Sequence, residues 1–247
     1  MATLDRLAGR GRSEHRFFGG MAVLIAATAL VGFARSYYLR PLIPPPPVLA
    51  MHPLTSLIHV HAALFTAWIV LLFAQTRLVA AGRIDLHRRL GILGVVVAAL
   101  MIVVGTLTAL HGVVRGVAPG GADPRRFLIV PLVALLVFGI LFVAAIRARK
   151  TPQTHKRLIL LATMALLPPA LARWVILYLG FGPPVVLGLA ALFVVPLVVW
   201  DFQTLGRLHP ATLWGGLAVV GSIPLRLAIG LTSGWLAVAD WLVGLVR

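Results

Sequence analysis

The stretch LILLATMALLPPALARWVILYLGFGPPVVLGLAALFVVPLVVW, residues 158–200, decides the fold. Its 43 residues contain one charged side chain, Arg173. A membrane-spanning helix needs about 20 apolar residues, so this run is too long for one span and long enough for two. The turn between them falls at Gly180-Phe181-Gly182-Pro183-Pro184, because glycine closes one helix and proline opens the next.

The same rule, carried outward, divides the rest of the chain. Eighteen uncharged residues separate Arg16 from Arg35, 36 separate Arg40 from Arg77, 25 separate Arg89 from Arg115, and 20 separate Arg126 from Arg147. Residues 208–239 hold only Arg226. The predicted spans are 17–36, 54–76, 90–112, 127–147, 157–179, 184–201 and 211–231. The expected fold is therefore all-α: a polytopic membrane helix bundle of about seven transmembrane helices. A basic segment, 1–16, precedes the bundle at 17–231, and an interfacial segment, 232–247, follows it. Trp235 and Trp241 in that last segment are expected at headgroup depth.

Composition excludes the soluble alternatives. The chain is 60% hydrophobic and 11% charged with a mean hydropathy of +1.02, too little polar surface to cover a water-soluble globule of 247 residues. The formal charge of +16 does not point to nucleic acid, because the basic residues fall in short clusters between apolar runs. Fourteen of the 22 Lys and Arg lie on one side if the N-terminus is inside. They are Arg6, Arg10, Arg12, Arg16, Arg77, Arg83, Arg88, Arg89, Arg147, Arg149, Lys150, Lys156, Arg157 and Arg207. The bias predicts N-in, C-out in a bacterial inner membrane, with an uncleaved first helix. The proline-rich loop Pro41 to Pro47 is expected to be a stiff polyproline spacer. With no cysteine, thiolate chemistry is excluded.

Two sets of polar residues stand out. His87-Arg88-Arg89-Leu90, His155-Lys156-Arg157-Leu158 and Arg207-Leu208-His209-Pro210 each open a helix on the same side. They read either as topogenic anchors with an interfacial histidine or as a ring of histidines at one depth, able to bind a ligand at helix N-termini. The second set lies in the opposite half. Rising about 1.5 Å per residue, His61 lies about 24 Å from Arg77, Arg173 about 24 Å from Arg157, Arg226 about 28 Å from Arg207 and His111 about 33 Å from Arg89. His59 and His61 point to opposite sides of one helix, and His61, Trp68 and Gln75 share the face expected to look inward.

No acid accompanies Arg173 and Arg226 at that depth. They either snorkel to headgroups or hold an anionic ligand. In the second reading His61 and His111 coordinate a metal or haem iron, and the arginines hold carboxylates such as propionates. Catalytic templates are absent: there is no His-Glu-x-x-His, phosphate loop or nucleophile elbow. Gly91, Gly94, Gly215 and Gly216 read as sites of close helix packing.

Leu86-His87-Arg88-Arg89-Leu90-Gly91 and the run from Arg147 through His155-Lys156-Arg157-Leu158 to Ala172-Arg173 resemble an uncharacterised family of bacterial polytopic membrane proteins. The resemblance covers roughly 55–175. More distantly the layout is similar to cytochrome b561, which implies haem b held by histidines on facing helices, although span four here carries no histidine. That resemblance makes His87 and His155 candidate ligands beside His61 and His111. The functions carried forward are electron transfer through haem b or a quinone, with the bilayer and a redox partner as contacts. The competing class is non-enzymatic: a small transporter or a lipid-binding accessory subunit. Pro168-Pro169 is a candidate helix break of the kind found in transporters.

Overall fold

The computed structural model describes residues 2–45, 50, 52–181 and 183–246. Among them the chain forms helices and no strand. The helices are α1 (Ala2–Phe33), α2 (Ser56–Ala80), α3 (Ile84–Val114), α4 (Pro124–Phe127), α5 (Ile129–Arg147), α6 (Pro152–Ala165), α7 (Pro168–Ala172), α8 (Pro183–Leu192), α9 (Val195–Leu205), α10 (Pro210–Gly230) and α11 (Ser233–Gly244). Six segments are long and apolar enough to cross a membrane, and the bent pair α6–α7 makes a seventh. The protein is thus an all-α, multi-pass integral membrane protein, as the apolar runs predict.

Neighbouring helices pack mainly as antiparallel hairpins, α2 with α3 and α5 with α6. Helix α10 closes against α5 and α6, and α1 lies across α2 and α7. The centre is sealed by Ile25, Ala98, Met101, Phe138, Leu161 and Leu197, none more than marginally accessible. Trp68 packs edge-on against Phe138 and Phe142 at 5.2 and 5.6 Å between ring centres. Its indole N–H donates to Thr163 Oγ1 at 3.2 Å. Outward-facing Ile92, Leu136 and Leu217 are exposed, as lipid-facing residues are. Because lipid is as apolar as leucine, small residues and polar links rather than hydrophobic burial hold such helices together.

The fifth span is broken. Pro168 and Pro169 bring no N–H to the carbonyls of Met164 and Ala165, so the helix stops at Ala165 and resumes at Pro168 with a bend of 40°. Beyond α7 the chain winds as a π-helix over Arg173–Tyr178, and α1 likewise ends in a π-helix over Ala34–Tyr38. Spans one and five meet where Gly32 faces Ala170; a methyl group on Gly32 would stand 2.7 Å from the Ala170 carbonyl oxygen.

Several local expectations change. Gly215 and Gly216 do sit at close crossings, against Leu161 and Val194, but Gly94 faces open space. The segment after span one turns at Leu39–Ile43, with Leu42 and Ile43 N–H both donating to the Leu39 carbonyl, so it does not start as an extended polyproline rod. Pro46 and Pro47 lie outside the described residues. The C-terminal segment folds back as α11, where Trp235 is buried and donates from its indole to the Arg125 carbonyl at 2.9 Å, while Trp241 stays exposed.

Candidate functional site

The starts of α3 and α6 come together at the basic end of the bundle and bring His87 and His155 side by side. Their ring centres are 6.4 Å apart and the rings are perpendicular. His155 Nδ1 lies 2.8 Å from the Ala145 carbonyl oxygen. A carbonyl only accepts, so Nδ1 carries a proton. His87 Nδ1 is buried and has no hydrogen-bond partner. The His87 backbone is pinned by Gln75, whose Nε2 donates to the His87 carbonyl at 3.1 Å. Gln75 belongs to the His61–Trp68–Gln75 stripe, which does face the bundle interior.

His209, the third member of the expected ring, does different work. It caps α10, its Nδ1 accepting from Ala211 N–H at 3.1 Å. Burial first, and then the charge of Arg157, push its imidazole below the usual value, while Asp201 opposes. The unfolded chain takes up this proton as pH falls below about 6.5, whereas the folded cap resists it. Stability fully present above that pH is therefore expected to decline as pH falls through the lowered folded value. The His209→Asn variant keeps a cap that does not titrate, so its unfolding midpoint should fall less steeply between pH 7.5 and 5. Equal slopes for the two proteins would remove His209 as a cause.

Beside this cap lies a network that reading the chain as loops and spans missed. Arg157 and Asp201 are fully buried. Arg157 donates from Nε and Nη2 to Asp201 Oδ1 at 2.9 and 2.5 Å, and from Nη1 to the Gln153 carbonyl and Oε1 at 2.8 and 2.7 Å. Asp201 Oδ2 accepts from His209 N–H at 3.1 Å. Glu14 on α1 pairs with Lys156 and accepts from Gln153. Arg157 is thus an internal tie between α6, α9 and α10 rather than a free topogenic charge. The available signal was Asp201 itself, the single acid within the predicted spans, at the end of 184–201.

In the opposite half, His61 stacks on Phe65 at 4.2 Å, its Nδ1 is buried without a partner, and it lies within electrostatic reach of Arg173. Arg173 donates to Ser36 Oγ at 3.1 Å and to the Pro169 carbonyl at 2.9 Å, with its guanidinium 4.4 Å above the Phe33 ring. It links the two π-helical ends. Arg226 is buried and turned inward, but its donors go to the Ser222 carbonyl and hydroxyl at 3.1 and 2.7 Å and to the Val130 carbonyl at 3.3 Å. Backbone carbonyls thus take the place of the missing acid. The geometry thus brings His87 and His155 together, while the contacts of Arg173 are to Ser36, Pro169 and Phe33 and those of Arg226 to Ser222 and Val130. His59 is exposed on the far side of α2, where its Nδ1 lies 3.1 Å from the Tyr37 hydroxyl.

Among the described residues, no group of three or more His, Asp or Glu side chains is gathered to hold a metal ion. Compared with known protein families, with curated proteins and with solved structures, the chain matches none.

Proposed function

We propose that this integral membrane protein is an electron-transfer protein that holds a haem b through His87 and His155. The observation that carries this reading is the spacing of the two rings. Two histidines that would hold one metal must bring their rings about this close, and the observed separation is 6.4 Å. The donor set fits as well. Metal-binding histidines typically donate their other ring N–H to a carbonyl, as His155 does to Ala145.

The haem would supply one-electron exchange. The protein's part is to hold the two imidazoles on different helices. The Ala145 carbonyl holds a proton of His155 on Nδ1, and Gln75 pins the His87 backbone. The basic bias of this end supports placing the site at the cytoplasmic face of an inner membrane, beside a quinone or protein redox partner.

The purified protein is expected to show a near-stoichiometric Soret band. His155→Gln should remove it, and His61→Gln should leave it. A colourless protein from haem-replete cells would sink the proposal. A band that survives His155→Gln but not His61→Gln would move the site to the half of the bundle that holds His61.

One observation favours a second reading, transport. The fifth span breaks between Ala165 and Pro168, and Arg173 donates to the Pro169 carbonyl beside that break. Broken helices near the bilayer centre are where transporters build substrate sites. Absence of any chromophore would favour this class.

A further inference from the structure

We propose that the basic end of the bundle carries a site for a phosphate-bearing anionic group, formed by Arg12, Ser13 and Arg16 on α1 with the stacked rings of Phe17 and Trp200. These five residues line a cleft of about 640 Å³ between α1 and α9. Ligand sites in proteins occupy about 300–1,000 Å³, so the cleft is large enough for a headgroup. Arg12 and Arg16 are one helical turn apart, which puts both guanidinium groups on one face, and both are exposed.

Glu14 lies between the two arginines in sequence but is engaged by Lys156 and Gln153. Among the described residues no carboxylate pairs with Arg12 or Arg16. Each guanidinium offers the planar fork that grips two phosphate oxygens at once. Beneath them Phe17 and Trp200 lie parallel, 4.5 Å apart, as an apolar floor. An inorganic anion gains nothing from that floor, whereas a glycerol backbone and the first acyl methylenes do. Basic pockets between transmembrane helices suit anionic lipid headgroups, and tryptophan favours headgroup depth. The cleft contains none of the histidines.

The test is native mass spectrometry of the full-length protein in non-ionic detergent with phosphatidylglycerol and phosphatidylcholine supplied together. The wild type is expected to retain phosphatidylglycerol about tenfold over phosphatidylcholine. Arg12→Gln with Arg16→Gln should reduce that retention on the order of tenfold, while Arg77→Gln with Arg83→Gln should change it less than about twofold. The control removes the same charge from the same end of the bundle. Added inorganic phosphate at tens of millimolar separates the sources: undisturbed retention assigns the site to a lipid headgroup, and displacement assigns it to a soluble phosphate compound. Equal losses in the two double variants, or full retention without Arg12 and Arg16, would overturn the site.

Discussion

Asp201→Ala is expected to destabilise the bundle by about 3–5 kcal/mol, because it leaves the Arg157 guanidinium buried without its counter-charge. Both partners are essentially inaccessible, at 1% and 0% exposure. Three hydrogen bonds end on this carboxylate, two from Arg157 and one from the His209 N–H. Gln153 still satisfies Nη1 in the variant, but Nε and Nη2 have no acceptor left. Charge burial, and not lost attraction alone, sets the size of the effect. Replacing both partners, as Arg157→Met with Asp201→Leu, should therefore cost far less than Asp201→Ala. Unfolding midpoints in detergent micelles measure the three variants. A double variant as unstable as the single one would show that the pair acts through its shape rather than its charge.

Gly32→Ala is expected to cost about 1–3 kcal/mol, although alanine is the better helix former. The new methyl would meet the Ala170 oxygen at 2.7 Å and its carbonyl carbon and Cα at 3.0 Å. These are backbone atoms, so no side-chain rotation relieves the clash, and α1 and α7 must separate. That separation strains two links between the same spans, Trp174 Nε1 to the Thr28 carbonyl at 3.1 Å and Arg173 Nε to Ser36 Oγ at 3.1 Å. Gly94→Ala is the matched control. Nothing lies within 4 Å of its added methyl, so the change should be neutral or mildly stabilising. If the two variants unfold alike, close approach at Gly32 is not what joins spans one and five.

These two expectations separate what one dimension carries from what it does not. The apolar run 158–200 was readable as two spans because bilayer thickness imposes a length, and length is a property of the chain alone. The Pro168-Pro169 break was readable for a similar reason, since a missing N–H disrupts the helix locally whatever surrounds it. The inward face of His61, Trp68 and Gln75 followed from helical periodicity. None of these needs a neighbouring helix.

The partners of the buried charges did need one. Arg157 and Asp201 are 44 residues apart, and whether a basic residue at a helix start faces headgroups or its own interior depends on how helices rotate against each other. The same rotation turned Arg226 inward onto Ser222 and Val130 and set Arg173 on Ser36, where the sequence offered only two arginines lacking an acid. Glycine shows the limit most simply. Gly32 and Gly94 are indistinguishable as residues in apolar helices, and only the backbone that passes within 3 Å of one separates them. Local covalent geometry and bilayer thickness thus determined the spans and the break from sequence. Which histidines and arginines meet was decided by packing, because contacts between helices depend on relative rotation and depth that no single helix encodes.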